Sequence, residues 1–540
     1  MAASKGSAVA HTREQWSGQL GFILAAVGSA VGLGNIWRFP GVAYENGGGA
    51  FLIPYLVALL TAGIPVLLLD YSIGHRFRGA APTSFRRISR PAESLGWFQV
   101  GISIVIMLYY TVIIAWAASY TVFAATQAWG DDPAGFLFGE YLRVPENELV
   151  SVEVVPGVLV PMLLIWGVTI VILALGVQKG LERANVVFIP LLVVMFAAIV
   201  VRAVTLPGAA DGLNAFFTPD FGALRDPGVW IAAYGQIFFS LSIAFGIMVT
   251  YASYLRRRAN LTSTALVVGF GNSSFELLAG IGVFSALGFM AGQQGVAVAD
   301  LETIQGVGLA FVAFPQLLSL MPGGPVFGVL FFASLTLAGM TSLISIMQVV
   351  SAAFQEKLGW STRTAAVVVG GSAAVISTVL FSTTTGVLVL DVADKYINEV
   401  GVVGSAVVTA VVLGLVLRRL RELQTHLNDR PGVVVGGWWR YLIAIAVPLV
   451  LGYIFVSGIR TLLTERYGDM PVWFLTTFGW GSVAVALLVA VGMTLVPWRR
   501  PIDEFVPDAL PGIHRSGARV GGAPAGPPPP RPTDPSGGAR

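Results

Sequence analysis

The sequence predicts an all-α polytopic membrane protein with about twelve transmembrane helices. Of its 540 residues, 55% are hydrophobic and only 11% are charged, whereas soluble domains carry about 25% charged residues. The mean hydropathy of +0.77 is correspondingly high. About twelve apolar segments reach the roughly 20 residues that a helix needs to cross a bilayer. These observations together exclude a soluble globular protein.

The apolar segments follow one another along most of the chain. Their approximate centres are Ala26, Ala58, Met107, Ile165, Val194, Leu241, Ala279, Thr336, Ala373, Thr409, Ala446 and Ala484. The segment from Asp300 to Met321 is only moderately apolar, so we expect it to form a helical outer loop. Residues 501–540, and above all 521–540, are rich in Pro and Gly, a composition typical of a disordered tail.

Basic residues alternate between loops, and this alternation predicts the orientation. Lys and Arg concentrate in cytoplasmic loops of membrane proteins. The loops that we place inside contain Arg76, Arg78, Arg86, Arg87 and Arg90; Lys179 and Arg183; Arg256, Arg257 and Arg258; Lys357 and Arg363; and Arg418, Arg419, Arg421 and Arg430. The longest loop on the other side is acidic, with Asp131, Asp132, Glu140, Glu146, Glu148 and Glu153. We therefore expect a multi-pass protein of the cell membrane with both termini cytoplasmic.

Composition also limits the chemistry. The formal charge of +3 belongs to basic loops between apolar segments, so no nucleic-acid partner is expected. Cysteine is absent and four histidines are scattered along the chain, which argues against disulfides, thiolate chemistry and a zinc site. Lys5 and Arg13 precede the first apolar segment as in a signal peptide, but no small-residue cleavage site follows. We expect that segment to be a retained span.

The first span carries an interruption. It contains Gly28, Gly32 and Gly34 and ends in the polar residues Asn35 and Arg38. Each glycine weakens a helix by about 1 kcal/mol relative to alanine. Unpaired backbone groups are tolerated at membrane depth only where they line a cavity or hold an ion. The Gly28-x-x-x-Gly32 spacing would also suit close helix packing, but packing does not explain Asn35 and Arg38. The pattern predicts a polar binding site near the bilayer centre.

The sixth span, Tyr234 to Tyr251, is the second unusual one. Gln236, Ser240, Ser242 and Gly246 interrupt an otherwise apolar segment. Spans one to five and six to ten can be taken as two halves of five spans each. Because five is an odd number, the second half enters the membrane from the opposite side, and the two halves are inverted repeats. Interrupted spans at matching positions of inverted repeats indicate the binding site of a secondary transporter. The expected fold is a 5+5 inverted repeat with broken helices 1 and 6 and two extra C-terminal helices.

Several motifs resemble the neurotransmitter:sodium symporter family. They are Arg13-Glu-Gln-Trp16, Gly28 to Pro40, Glu45 to Phe51, Gln236 to Ser242, Thr250 to Tyr254 and Ala338 to Ser342. The resemblance covers about spans one to ten, and the missing cysteines and the short loop after span three are similar to the prokaryotic branch. It implies a leucine-transporter-like fold, with a gate residue in the tail 1–15, a transport core at 16–425, two further helices at 426–498 and a cytoplasmic tail at 499–540.

The resemblance implies two sodium sites built from neutral oxygens. The first would use the carbonyl of Ala30 with Asn35, Ser240 and Asn272, completed by the substrate carboxylate. The second would use carbonyls of Gly28, Val31 and Ala338 with hydroxyls of Thr341 and Ser342. A Thr-Ser pair in a helix more often serves packing, but its position beside Ala338 and Gly339 matches the family pattern.

Glu276 is an ionisable residue inside span seven, which by itself suggests function. In chloride-dependent relatives a small hydroxyl residue stands at the matching place and helps to hold chloride with Tyr55, Gln236, Ser240 and Asn272. A carboxylate at Glu276 would supply that negative charge, so we expect chloride-independent transport. The alternative is a structural hydrogen bond.

The resemblance also indicates the substrate. Gly32 stands where monoamine-transporting relatives have aspartate, so a ligand with its own carboxylate, a neutral and hydrophobic α-amino acid, is favoured. The expected pocket residues are Ser29, Ala30, Gly32, Gly34, Ile106, Tyr110, Phe239, Ser242, Phe245, Ser342 and Ile346. Ser29 replaces a more usual asparagine, and Ala244 stands where a glycine is common. Both differences leave the preferred side-chain size open.

Two gates complete the expected transporter. Arg38 and Asp394 would close the outer side above Phe239 and Tyr110. On the inner side Arg13 would pair with Glu356, beside Trp16 and Tyr254. Arg13 could instead be an ordinary basic residue of the cytoplasmic side.

The sequence therefore predicts a sodium-coupled amino-acid symporter, which is not an enzyme. A proton-coupled carrier of the same fold and a non-cycling amino-acid sensor are the alternatives. Oligomeric state, ion stoichiometry and any proton antiport are not readable from these residues.

Overall fold

The computed structural model describes residues 14–145, 148–301, 306–430, 432–502, 505, 507 and 510. Throughout this part of the chain the regular elements are helices, and only two isolated β-bridges, Gly48–Pro219 and Val154–Thr383, are present. The predicted all-α fold class is confirmed.

The main helices are numbered here in chain order. They are α1 (Gln19–Ala30), α2 (Leu33–Glu45), α3 (Gly49–Phe77), α4 (Ala81–Ile88), α5 (Arg90–Ala124), α6 (Pro156–Ala174), α7 (Val177–Val204), α8 (Ala209–Phe217), α9 (Pro227–Ser240), α10 (Ile247–Ser253), α11 (Leu261–Gln294), α12 (Gly306–Leu320), α13 (Gly324–Leu358), α14 (Thr362–Phe381), α15 (Gly386–Val416), α16 (Leu420–Asn428), α17 (Trp438–Asp469) and α18 (Val472–Leu495). Short helical turns at Pro133–Gly135, Phe136–Tyr141, Ala223–Arg225 and Val298–Asp300 lie in the connections.

Ten of these helices are long and apolar enough to cross a membrane: α3, α5, α6, α7, α11, α13, α14, α15, α17 and α18. The pair α1 and α2 forms a further span that bends by 55° at its break. The pair α9 and α10 flanks a second break at residues 241–246 and occupies the place of the sixth span. The twelve segments expected from the sequence are all present among the described residues, and both interruptions fall where glycine and polar residues predicted them.

Burial separates a central group of helices from a peripheral one. In their most apolar windows α5 is 83% buried, α11 78% and α13 72%, whereas α17 is only 17% buried. Helix α5 packs against α13 and α18, and α10 packs against α3. The buried helices surround the two breaks, while the exposed apolar faces of the others suit contact with lipid.

Most of the loop from Asp300 to Met321 and part of the C-terminal tail lie among the described residues. The segment from Asp300 to Met321 contains helix α12, as predicted. Arg13 and residues 511–540 lie outside the described residues. The first residues of the expected tail make contacts: the Arg499 N–H donates to the Lys357 carbonyl (3.1 Å), and Arg500 donates to the Gly359 carbonyl (3.2 Å).

Gly74 marks the closest approach of α3 to α10. A Cβ atom at Gly74 would overlap the carbonyl oxygen of Val249, which is backbone and cannot rotate away. We expect Gly74→Ala to lower the melting temperature of the purified protein clearly, because overpacking of this kind costs about 1–3 kcal/mol.

Gly371→Ala in α14 is the matched control. No atom lies within 4 Å of a Cβ there, so the better helix propensity of alanine should leave the melting temperature unchanged or slightly higher. Equal melting temperatures for the two variants would contradict the close packing of α3 and α10.

Candidate functional site

The first break separates α1 from α2 at two residues. Val31 (φ −75°, ψ 96°) and Gly32 (φ −127°, ψ −165°) are extended, so the carbonyls at the end of α1 and the N–H groups at the start of α2 are free of helical partners. The Asn35 Oδ1 atom accepts the Gly32 N–H at 2.8 Å and caps α2. A Cβ at Gly28 would come within 2.5 Å of the Asn185 Oδ1 atom, which explains the glycine there.

The second break is a strained segment between α9 and α10. Ser242 (φ 52°), Ala244 (φ 68°) and Gly246 (φ 89°) all adopt left-handed backbone conformations. Such a conformation costs a residue with a Cβ roughly 1–2 kcal/mol, so surrounding contacts must stabilise Ser242 and Ala244. The alanine that replaces the expected glycine is therefore accommodated with strain.

Neighbouring helices supply those contacts. Ser405 Oγ on α15 donates to the Ala244 carbonyl at 2.6 Å, and Ser103 Oγ on α5 donates to the Phe245 carbonyl at 2.9 Å. The Ala244 N–H donates to Asp70 Oδ2 on α3 at 3.2 Å. The break is thus held from three sides by buried polar groups.

The two breaks face each other across a cavity. Ser242 Oγ donates to the Ser29 carbonyl at 2.8 Å, and Ser342 Oγ approaches the same carbonyl at 3.4 Å. The cavity encloses about 590 Å³ including its mouth. Its lining residues are Ser29, Ala30, Gly32, Leu33, Gly34, Asn35, Ile106, Tyr109, Tyr110, Phe239, Ser240, Ser242, Phe245, Ser342, Ile346, Asp394, Asn398 and Val402. The structure brings all of the predicted substrate residues into this one cavity.

Two glycines leave the cavity open. A Cβ at Gly32 would lie 3.0 Å from Ser342 Oγ and 3.2 Å from the Tyr110 hydroxyl, and a Cβ at Gly34 would overlap the Phe239 ring. The Tyr110 hydroxyl also lies 3.5 Å from the Leu33 nitrogen at the start of α2. A helix N-terminus beside a phenolic hydroxyl favours an anionic group such as a carboxylate.

The side chains predicted for the first sodium site form a buried chain of amides and a hydroxyl. Asn35 Nδ2 donates to Asn272 Oδ1 at 2.9 Å, and Asn272 Nδ2 donates to Ser240 Oγ at 3.0 Å. All three residues are at most 2% exposed, and Ala30 ends α1 beside them in the cavity wall. Their neutral oxygens have the chemistry that a hard monovalent cation prefers.

The residues predicted for the second sodium site lie on two packed helices. Gly28 and Val31 are at the end of α1, and Ala338, Thr341 and Ser342 are in α13, which packs against α1. The Thr341 hydroxyl donates to the Ala338 carbonyl at 2.9 Å. Its oxygen keeps a lone pair that can accept a cation.

Glu276 is fully buried and hydrogen-bonded by the side chains of Tyr55, Gln236 and Ser240. The Tyr55 hydroxyl donates to one carboxylate oxygen, and Gln236 Nε2 donates to the other at 2.6 Å. Tyr55 also lies 2.8 Å from the Ser273 hydroxyl. The structure therefore assembles Glu276 with three of the residues predicted to surround it, and the fourth, Asn272, donates to Ser240.

At the α2 end of the cavity, Phe239 separates it from a second, larger cavity. The Arg38 guanidinium lies over the Phe239 ring at 4.5 Å and lines this second cavity. Asp394 lines the first cavity, between the two breaks, and accepts hydrogen bonds from the Tyr109 hydroxyl (2.7 Å) and Asn398 Nδ2 (2.9 Å). No direct ion pair joins Arg38 and Asp394 in the described part of the chain.

At the opposite end, Trp16 closes the bundle. Its Nε1–H donates to the Tyr251 carbonyl at 2.9 Å, and its N–H donates to the Tyr254 carbonyl at 3.1 Å. Trp16 is 1% exposed. Glu356 accepts the Ala80 N–H at 3.0–3.1 Å, but the predicted pair of Glu356 with Arg13 stays a prediction, because Arg13 is not described.

The sequence analysis missed several polar groups of the site. Asp70 could have been found, because it is an acid inside the apolar segment from Ile64 to Phe77. Ser103 and Ser405 carried no signal, since single serines are common in membrane helices. Tyr109 and Asn398, which hold Asp394, likewise follow only from the folded arrangement.

Comparison with known proteins gives consistent findings. The model of the "Sodium:neurotransmitter symporter family" matches residues 13–136 and 132–500. The chain is 39% identical over 480 residues to an uncharacterized sodium-dependent transporter of Methanocaldococcus jannaschii, covering 89% of this chain and 97% of that protein. It is 36% identical over 370 residues to the human sodium- and chloride-dependent creatine transporter 1, covering 61% and 58%.

A solved structure shares the fold. The crystal structure of MhsT in complex with L-phenylalanine superposes with a TM-score of 0.71 at 33% sequence identity, covering 83% of this chain and all of that one. The predicted leucine-transporter type of fold is thereby confirmed.

Asn35 links the first break to α11, which makes it a sensitive position. Its replacement by alanine removes the acceptor of the buried Gly32 N–H and the donor to Asn272 Oδ1, and each unsatisfied group costs about 1–3 kcal/mol. We expect Asn35→Ala to lower the melting temperature of the purified protein strongly.

Asn46→Ala is the control, because Asn46 is half-buried and bonds only the Val42 carbonyl of its own helix. A melting temperature of Asn35→Ala no lower than that of Asn46→Ala would contradict a structural link through Asn35.

Proposed function

Because this chain belongs to the sodium:neurotransmitter symporter family, we propose that it is a sodium-coupled symporter that imports neutral, mainly hydrophobic α-amino acids by alternating access. The observation that carries this proposal is the cavity between the two helix breaks, which combines free backbone groups with an apolar wall. A zwitterion with an apolar side chain needs this combination.

The carboxylate of the amino acid would bind at the start of α2. The Leu33 N–H and the Tyr110 hydroxyl meet there, and Gly32 leaves the adjacent space open. The positive end of the α2 dipole favours a negative charge at this position. An aspartate side chain at Gly32 would repel that carboxylate, so its absence supports an amino acid over a simple amine.

The ammonium and side chain of the amino acid would occupy the other walls. The carbonyls at the ends of α1 and α9 are acceptors for an ammonium group, because helix C-termini leave carbonyls unpaired. Ile106, Phe239, Phe245 and Ile346 line the cavity and would surround an apolar side chain. The phenylalanine bound in the structure of the similar protein MhsT supports this choice of substrate.

Two sodium ions would accompany the amino acid. The first would bind Asn35, Ser240, Asn272 and the Ala30 carbonyl, next to the substrate carboxylate. Cation and carboxylate would offset each other's loss of hydration, so that neither binds well alone. The second would bind between the end of α1 and Thr341 and Ser342 of α13, and would thereby fasten the broken span to a buried helix.

Transport would proceed by opening one end of the bundle while the other stays closed. Arg38, Phe239 and Asp394 would form the outer gate, and Trp16, Tyr254, Glu356 and Arg13 the inner one. We place the end that carries Arg76, Arg86, Arg87 and Arg256 in the cytoplasm, with both chain termini, because basic loops remain on that side.

Uptake into proteoliposomes tests the proposal. With labelled phenylalanine and leucine in chloride-free buffer, we expect accumulation under an inward sodium gradient and none under an inward potassium gradient. Equal uptake in both, following a pH gradient, would instead indicate a proton-coupled carrier. Tight binding without uptake would indicate a sensor.

Replacement of Glu276 tests chloride independence. We propose that the Glu276 carboxylate substitutes for chloride, supported by its contacts with Tyr55 and Gln236. Wild-type uptake should be the same in gluconate and chloride. Glu276→Ser should lose at least tenfold in uptake without chloride and regain most of it with chloride, because a chloride ion can occupy the vacated space.

Glu276→Gln is the matched control. It removes the charge without vacating the space, so uptake should stay low in both media. Uptake by Glu276→Ser that does not respond to chloride would contradict the substitution of chloride by Glu276.

A further inference from the structure

Asp70 is a buried acid that the proposed transport mechanism does not use. It lies in α3 and is 1% exposed. Its Oδ2 atom accepts one hydrogen bond, from the Ala244 N–H at 3.2 Å, and its Oδ1 atom has no hydrogen-bond partner among the described residues. Glu276, by comparison, receives a donor on each of its oxygens. Asp70 is therefore the more poorly solvated of the two carboxyl groups.

Several of the charged and titratable groups near Asp70 have partners of their own. The elements packed against α3 include α4, α10, α11, α16 and α17. Together with α3 itself and with α9, which also packs against α3, they carry among others Tyr55, Tyr71, His75, Arg76, Arg86, Arg87, Tyr234, Tyr251, Glu276, Arg421, Glu422, His426, Arg440 and Tyr441. Arg76 pairs with Glu422, Arg86 with Glu93, and His75 bonds His426. Tyr251 donates to Ser345. In the described part of the chain no cation pairs with Asp70.

A carboxylate in such a place is unstable. Burial of a charge without a counterion or a full set of hydrogen bonds costs several kcal/mol, and the group avoids that cost by becoming neutral. A neutral Asp70 keeps its structural contact, because a carbonyl oxygen still accepts the Ala244 N–H. The uncharged form of Asp70 therefore fits this buried position better than the charged form does.

Ala244 connects Asp70 to the substrate cavity. It is left-handed, two residues from Ser242 and one from Phe245, both of which line the cavity. Any movement of the break at residues 241–246 changes the contact of Ala244 with Asp70 and the access of water to its free oxygen. The protonation of Asp70 and the opening of the cavity are thus physically linked.

We propose that Asp70 binds a proton, taken from water, when the broken helices close around the amino acid, and returns it to water when the segment 241–246 opens. Asp70 is a positioning residue in this cycle, since it acts through Ala244 and not on the substrate. The inference rests on the proposed amino-acid site, but the ionisation of Asp70 is measurable without substrate by changing the pH.

The sign of the pH dependence follows from linkage. The closed, substrate-bound state holds the proton more tightly than the open state, so substrate affinity is highest at low pH. It falls as the pH rises through the range in which Asp70 ionises, by at most tenfold per pH unit for a single proton. Asn at position 70 imitates the neutral acid and removes this dependence.

The test measures proton uptake and phenylalanine binding together. Purified full-length protein in weakly buffered saturating sodium receives L-phenylalanine in the presence of a pH indicator, at pH values between about 5 and 9. We expect the wild type to take up as much as one proton per bound phenylalanine and Asp70→Asn to bind phenylalanine without proton uptake. Asp211→Asn, an exposed position on α8, should behave as the wild type. Proton uptake by Asp70→Asn equal to that of the wild type would overturn the proposal.

Infrared spectroscopy provides the independent measurement. With saturating sodium and L-phenylalanine at neutral pH, the wild type should show a protonated-carboxyl band that shifts when aspartate is isotopically labelled and is absent from Asp70→Asn. Without phenylalanine, the same band should appear only at a lower pH. If Asp70→Asn does not fold, Asp70→Glu replaces it, and the band must then shift with labelled glutamate instead. Absence of the band from the phenylalanine-bound wild type overturns the proposal. A band of Asp70 that appears as the pH falls, in protein that does not bind phenylalanine, would reject the proposed substrate and keep the proton site.

Discussion

The structure depends on one constraint, which is that backbone polar groups at membrane depth must find partners. Unpaired groups in hydrocarbon cost several kcal/mol each, yet the chain leaves two spans broken. The breaks partly satisfy each other, since Ser242 on one donates to the Ser29 carbonyl on the other. Ser103, Ser405 and Asp70 supply further partners to the second break. The surrounding helices therefore stabilise both breaks.

The same constraint explains where the cavity lies. Backbone groups that remain free at the ends of α1, α2 and α9 converge there and offer donors on one side and acceptors on the other. Small residues keep the space open, since even a Cβ at Gly34 would overlap Phe239. The buried helices α5, α11 and α13 hold this arrangement, whereas the exposed apolar faces of α17 and its peripheral neighbours contact lipid. The free backbone groups of the breaks are thus concentrated around the cavity.

The fold could be predicted from the sequence because its signals are local. Gly28, Gly32 and Gly34 weaken a helix wherever they occur, and the break at Val31 and Gly32 follows. The pocket residues came from motifs of a family. The contacts of the second break could not be predicted, because a serine such as Ser405 looks the same whether it bonds its own helix or a carbonyl on another. The left-handed backbone of Ala244 could not be predicted either, since it is imposed by neighbours and not by the preference of alanine.

The two buried acids show how much depends on hydrogen-bond donors. Glu276 sits between Tyr55 and Gln236, whose donors can stabilise a negative charge and so favour a carboxylate at that position. Asp70 has a single backbone donor and a free oxygen, which favours the neutral acid. The two carboxyl groups are thus equally buried but surrounded by different numbers of donors. A fixed charge suits a group that substitutes for an anion, and a titratable one suits a group that follows the movement of the broken helix.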